Sequence, residues 1–186
     1  MNPITPRQQH IIDAALPFIS LNPTATIQEI AAAAGISKAT FHRHFDSRDR
    51  LFAAMADHAL QALRTALAAL PQEHAAEQRL RTIIHALTAQ GDKVYFLFYY
   101  PNNKAPKAFD RLIQATLAPY YATLATLDAQ GYFDPRLPLA WVTNGLHTHI
   151  AIAWVQVYLG NVTLNEAVER VWILFFDGAK RPNPIE

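Results

Sequence analysis

The chain has 186 residues, of which 51% are hydrophobic and 17% charged, with a net charge of +1 and no cysteine. This is the composition of a well-buried globular protein of one or two small domains. It excludes a disordered chain, a generally basic nucleic-acid coat, a disulfide framework, thiolate metal sites and cysteine nucleophiles.

The N-terminal run MNPITPRQQHIIDAAL lacks the apolar core and small-residue cleavage site of a signal peptide, so the expected compartment is the cytoplasm. A first helix is predicted from about Pro6 to Ser20, with Ile11, Ala15, Phe18 and Ile19 inward and Asn22-Pro23 as its stop. Pro17 falls inside it, so a kink or a displaced start is expected.

Two short helices follow. Thr26 and Glu29 have the spacing of a capping box, in which hydroxyl and carboxylate each bond the other's backbone N–H. Ile27, Ile30, Ala31 and Ala34 recur at helical spacing as a buried stripe. Gly35 sits where a left-handed backbone ends the helix, and Ser37 is a good cap for the next one. Phe41 and Phe45, four apart, make that helix's buried face. Lys38, Ala39, Thr40, His42, Arg43 and His44 are left for the outer face: small or hydrogen-bonding side chains with two fixed cations, suited to a helix laid in the major groove. Asp46 or Ser47 then caps a fourth helix that carries Arg48 and Arg50 and runs to about Leu70, where Pro71 ends it.

The remainder reads as helix. A fifth runs from about His74 to Gln90, Gly91 separates it from an aromatic segment at Val94–Tyr100, and residues 101–106 form a loop. A helix from about Lys107 to Ala129 should bend at Pro119. The long apolar helix at Leu137–Leu159 holds Asn144, His147, His149 and Gln156, which suits a buried or interface helix and not a membrane span. Thr163 and Glu166 form a second capping box, opening a last helix that Gly178 ends, and the tail from Lys180 should be loose. The fold class is therefore all-α: residues 1–46 as a three-helix head with a helix-turn-helix and residues 47–186 as a helical body, linked by the helix at about 47–70.

Two sets of body residues invite a role. Aromatics gather mid-chain, and Phe96, Tyr99, Tyr100, Tyr120, Tyr121, Trp141 and His147 suit a cavity for a mostly apolar ligand, with core packing as the alternative. Ile150, Ala153, Val157, Val171, Leu174 and Phe175 give the last two helices more apolar surface than one flank needs, which points to an isologous dimer, with core packing again the alternative. Catalysis finds no support: Ser20, Ser37 and Ser47 lie at helix boundaries, and the glycines are scattered helix stops and not a phosphate loop. The pairs His42/His44 and His147/His149 are two residues apart, about 200° round a helix, so neither pair shares a metal. No metal and no cofactor is expected.

The block AAAAGISKATFHRHFDSRDRLFAAM resembles the bacterial TetR/AcrR-type transcriptional regulators through Ile30-Ala31, Ala34-Gly35-Ile36-Ser37, Thr40-Phe41-His42, His44-Phe45, Ser47-Arg48 and Leu51. His42 stands where the family pattern usually has Tyr, and Arg48 where it has Lys. The resemblance implies a helical effector-binding and dimerisation domain, a four-helix interface from the last two helices of each subunit, and a dimer on a pseudo-palindromic operator. The activity it implies is a ligand-responsive, sequence-specific regulator, a repressor released by a small, mostly apolar effector. A helical small-molecule-binding protein or an activator with the same head is the alternative. Lys38, Thr40, His42 and Arg43 are the expected base or phosphate contacts, Ala39 the contact for a thymine methyl, and Thr26, Ser37, His44 and Arg48 the residues that position the helix on the backbone.

Overall fold

A computed structural model describes residues 4–71, 75–99, 107–176 and 178. The expected pocket residue Tyr100, the loop at 101–106 and the tail from Lys180 lie outside the described residues, as does the side chain of Tyr99.

The described elements are helices: α1 (Pro6–Leu21), α2 (Ile27–Ala33), α3 (Lys38–His44), α4 (Arg48–Ala68), α5 (Ala76–Ala89), α6 (Gly91–Tyr99), α7 (Lys107–Thr116), α8 (Ala118–Ala129), α9 (Leu139–Tyr158) and α10 (Leu164–Val171), which passes into a π-helical turn at Trp172–Phe176. The first three make an N-terminal head, α4 leads out of it, and the rest form a helical body.

Local chemistry explains most boundaries. Thr5 and Gln8 form a capping box that fixes the start of α1 at Pro6, so Pro17 does not displace it, and the helix runs on through Pro17. Ser47, and not Asp46, caps α4. Pro119 does more than bend the expected long helix: the chain breaks at Leu117 and restarts with Pro119 in the first turn of α8, where its missing N–H costs nothing. The last helix changes pitch at Trp172, and its π-helical turn stacks Trp172 on Phe176 at 4.2 Å.

Gly91 is no spacer. It is the buried first residue of α6, and a Cβ there would lie 2.1 Å from Trp154 Cβ on α9. Only a bare backbone lets α6 approach α9 this closely. The same helix packs on α1 and α4, with Phe96 stacked on Phe52 of α4 at 5.8 Å and Ser20 of α1 donating to the Asp92 carbonyl at 3.4 Å. Through α6 the body thus packs directly on α1 of the head and on α4.

Candidate functional site

The turn between α2 and α3 is built by its backbone. Gly35 adopts φ +65°, while its N–H reaches the Ala32 carbonyl at 3.0 Å and the Ile36 N–H reaches Ala31 at 2.9 Å. This double closure is the Schellman ending, and its left-handed residue favours Gly. At the start of α2, the Thr26 N–H donates to Glu29 Oε2 at 2.7 Å and the Thr26 hydroxyl to the same oxygen at 2.8 Å, which holds the Glu29 carboxyl below its usual range.

Burial then divides α3. Phe41 is fully buried and Phe45 nearly so, 5.8 Å apart, which pins the helix to the head. Lys38, Ala39, His42 and Arg43 are exposed, and Thr40 is half-buried. The Thr40 N–H donates to Ser37 Oγ at 3.1 Å, the two hydroxyls lie 3.0 Å apart, and Arg43 Nη2 donates to Thr40 Oγ1 at 3.0 Å. Ser37, Thr40 and Arg43, one turn apart, thus form a polar ladder beside the exposed face.

Two side chains brace the head around this motif. Gln8, whose Oε1 serves the α1 capping box, donates from Nε2 to the His44 carbonyl at the end of α3 at 3.0 Å. Arg48 is half-buried, with its guanidinium turned towards the α1–α2 turn. It donates to the Ala25 carbonyl, to the Pro23 carbonyl at 2.7 Å, and lies 5.0 Å over the Phe52 ring. Sequence reasoning expected Arg48 on DNA phosphate and missed Gln8. The T-x-x-Q spacing of Thr5 and Gln8 was a readable cap signal, but its second bond, to a carbonyl 36 residues away, left no trace in the sequence.

In the body, α6, α7, α8 and α9 surround a cleft of about 380 Å³ lined by Phe98, Gln114, Tyr121, Leu139, Thr143 and His147, with Ala140 and Asn144 completing the wall. Of the expected pocket residues whose side chains are described, Tyr121 and His147 line it. Phe96 is turned to Phe52, and Tyr120 is wholly buried behind the wall with its hydroxyl 3.5 Å from the Thr143 carbonyl. Trp141 is 72% exposed. Six residues from His147, it is rotated about 120° round the helix and faces outward. Phe98, Gln114 and Thr143 line the cleft as well. Phe98 lay in the legible aromatic run, whereas Gln114 carried no signal.

His147 is the unusual member. It is only 7% exposed, its Nε2 has no hydrogen-bond partner, and its ring centroid is 4.2 Å from that of Phe98, 5.2 Å from Tyr120 and 6.1 Å from Tyr121. Burial among these rings lowers its pKa to about 4, so the imidazole is neutral near pH 7. His85, by contrast, lies away from the cleft, with Nε2 3.1 Å from Asn165 Oδ1. Among the described residues no three His, Asp or Glu side chains gather as they would around a metal ion, and no helix is long and apolar enough to cross a membrane.

The expected dimer residues divide. Ile150, Ala153 and Val171 are buried within the subunit, and Val157 and Phe175 are half-buried. Phe175 packs 2.9 Å from where a Gly145 Cβ would stand. Leu174 is 71% exposed, with Ile173 beside it also exposed. On α9 and at its C-cap the exposed large apolar residues are Trp141, Ile152 and Leu159, with Tyr158 beside them. At 100° per residue, Trp141, Ile152 and Leu159 fall within about 20° of one another. The body therefore carries an uncovered apolar stripe on α9, continued by the turn after α10.

A helix-turn-helix head joined by one long helix to an all-helical body is the architecture of a one-component transcription regulator. The sequence model described as "Bacterial regulatory proteins, tetR family" matches residues 11–55. The HTH-type transcriptional repressor LfrR of Mycolicibacterium smegmatis is 33% identical over 137 residues, 70% of this chain and 68% of that protein. The HTH-type transcriptional regulator NfxB of Pseudomonas aeruginosa is 37% identical over 94 residues, half of each chain. The crystal structure of LfrR in complex with proflavine superposes with a TM-score of 0.68 at 21% identity, covering 95% of this chain and 99% of that one. A TetR-family regulator from Marinobacter aquaeolei VT8 gives 0.63 at 14% identity, over 95% and 96% of the two chains. The chain belongs to the TetR family of bacterial transcriptional regulators, which are not enzymes.

Proposed function

We propose that this regulator is a homodimeric repressor that leaves its operator when a small, mostly apolar molecule fills the α6–α9 cleft. Residues 1–46 act as the DNA-binding head and residues 47–186 as the effector-binding and dimerisation body. The observation that carries the DNA side is the division of α3: Phe41 and Phe45 are committed to the core, while Lys38, Ala39, His42 and Arg43 are uncovered. Lys38, Thr40, His42 and Arg43 contact bases or phosphates, Ala39 meets a thymine methyl, and Thr26, Ser37 and His44 set the helix on the backbone. Arg48 acts one step back, by holding the α1–α2 turn through the Pro23 and Ala25 carbonyls.

The regulatory step rests on α6. Phe98 faces the cleft and His147; Phe96, two residues earlier and so about 200° round the helix, faces Phe52 of α4. Phe52 in turn lies under Arg48, which holds the turn before α2. A ligand that parts Phe98 from His147 shifts α6, and α6 bears on α4 and α1. A coupling of about 1–3 kcal/mol would change operator affinity roughly 5–150-fold.

Selection of bound DNA from a random pool, with the protein's own upstream region as competitor, tests the reading. A pseudo-palindrome with half-sites one or more helical turns apart is the expected outcome. Binding that ignores sequence, or no binding, overturns it.

A further inference from the structure

The cleft is selective by what its wall lacks as well as by what it holds. Among the described residues its lining carries no carboxylate, no lysine and no arginine. From these lining residues a cationic ligand gains no counter-charge to offset its lost hydration, and an anionic one gains none either. The wall offers the rings of Phe98 and Tyr121, the aliphatic Leu139 and Ala140, and His147, whose Nε2 is buried without a partner. A neutral imidazole has one nitrogen that accepts and one that donates. A cavity of about 380 Å³ is at the small end of ligand sites, enough for a bicyclic molecule.

We propose that the effector is an uncharged aromatic molecule that donates one hydrogen bond from a hydroxyl or N–H to the His147 ring, and that the cleft selects against cations. This rests on the reading of the cleft as the effector site. It sets this chain apart from LfrR, whose structure was solved with proflavine. The neutral state of His147 near pH 7 agrees with an acceptor role and would make a cation beside it no better off.

The test is calorimetric titration of the full chain at pH 7 with 1-naphthol, naphthalene, 1-naphthoate and proflavine. Naphthalene keeps the rings of 1-naphthol and lacks its donor; the other two add charge of either sign. The expected order is 1-naphthol about fivefold to tenfold tighter than naphthalene, from one net hydrogen bond, with the charged probes weaker than both. In His147→Phe the advantage of 1-naphthol over naphthalene should vanish while naphthalene itself still binds. The comparison within the unaltered protein stands even if that variant folds poorly. Equal affinity for 1-naphthol and naphthalene overturns the proposal, as does proflavine binding tighter than 1-naphthol. Ala140→Trp, which sets a bulky ring at the wall of the cleft, separates the two readings. If naphthalene binds, Ala140→Trp blocks it and the hydroxyl adds nothing, the cleft is a ligand site and only the ligand class is wrong. If no probe binds, both readings fall.

Discussion

Phe98 on α6 and His147 on α9 hold their ring centroids 4.2 Å apart, tilted by 31°, at the wall of the body's cleft. The contact buries an imidazole that has no hydrogen bond at Nε2, and the folded protein therefore resists its protonation.

That resistance has a pH signature. The unfolded chain takes up a proton at His147 near pH 6.5, whereas the folded chain does so only near 4. Stability from this residue is complete above about pH 6.5 and is lost progressively as the pH falls towards 4, below which both states are protonated. The gap corresponds to ~3 kcal/mol. His58, held between α4 and α1 with Asp13 Oδ1 at 3.3 Å and Gln9 beside it, is lowered in the same direction, chiefly by burial against the opposing pull of Asp13. Urea unfolding at pH 7 and pH 4.5, at fixed protein concentration, should show a smaller acid loss in His147→Leu than in the unaltered chain. An identical loss in the two would mean that His147 is not held neutral.

Arg43 and Arg48 should differ although both are arginines of the head. Arg43 is exposed and donates to Thr40 on its own helix, whereas the Arg48 guanidinium serves the Pro23 and Ala25 carbonyls. Arg43→Ala should either lower the salt slope of DNA binding by about one or relax preference at a base pair by ~1–3 kcal/mol. Thr40→Ala, which removes the acceptor that orients Arg43, should relax the same base pair. Arg48→Ala should leave the slope unchanged and cost ~2 kcal/mol of folding stability, from lost charge-assisted hydrogen bonds. Fluorescence anisotropy across a salt series, paired with thermal unfolding, separates them. A slope lowered in Arg48→Ala would return that residue to the phosphate.

These two arginines also mark what the sequence made legible. Caps, glycine endings and the inward spacing of Phe41 and Phe45 are local patterns, so the head was readable from short-range rules alone. The destination of a long side chain is a tertiary fact: nothing within reach of Arg48 in the sequence says that its partners lie 23 and 25 residues earlier. The lining of the cleft is a fact of the same kind. Aromatic residues mark apolar surface, but which of them face a cavity depends on rotation about each helix, so Tyr121 and His147 line it while Tyr120 and Trp141 do not.

Gly91→Ala tests the close approach of α6 to α9. The added methyl would meet Trp154 Cβ at 2.1 Å and Cγ at 2.4 Å, atoms near the backbone that cannot swing aside. Such overpacking typically costs ~1–3 kcal/mol, and the helix preference for alanine returns less than 1 kcal/mol of it. Melting should fall by several degrees. Gly178→Ala, where a Cβ meets nothing within 4 Å, is the control and should melt unchanged. A Gly91→Ala protein as stable as the parent would show that α6 and α9 separate freely.

The apolar stripe supplies the last prediction. Trp141, Ile152 and Leu159 line one edge of α9, and Ile173 and Leu174 extend the surface from the turn after α10. Leaving five large apolar residues in water is costly, at roughly 25 cal/mol per Å² of apolar area, and a second copy packed by two-fold symmetry would cover all of them at once. Glutamate placed in such a contact faces its own symmetry mate, so charge repulsion and desolvation add on both sides of the axis. Ile152→Glu with Leu174→Glu should therefore yield a monomer in sedimentation velocity, with helical content by circular dichroism unchanged, because both side chains lie outside the subunit's core. Each head would then bind a half-site without its tethered twin, and affinity for a palindromic duplex should fall about 10²–10⁴-fold while affinity for an isolated half-site stays the same. A double variant that sediments as a dimer, or that loses affinity for half-site and palindrome alike, would mean that the stripe is not where two copies of this regulator meet.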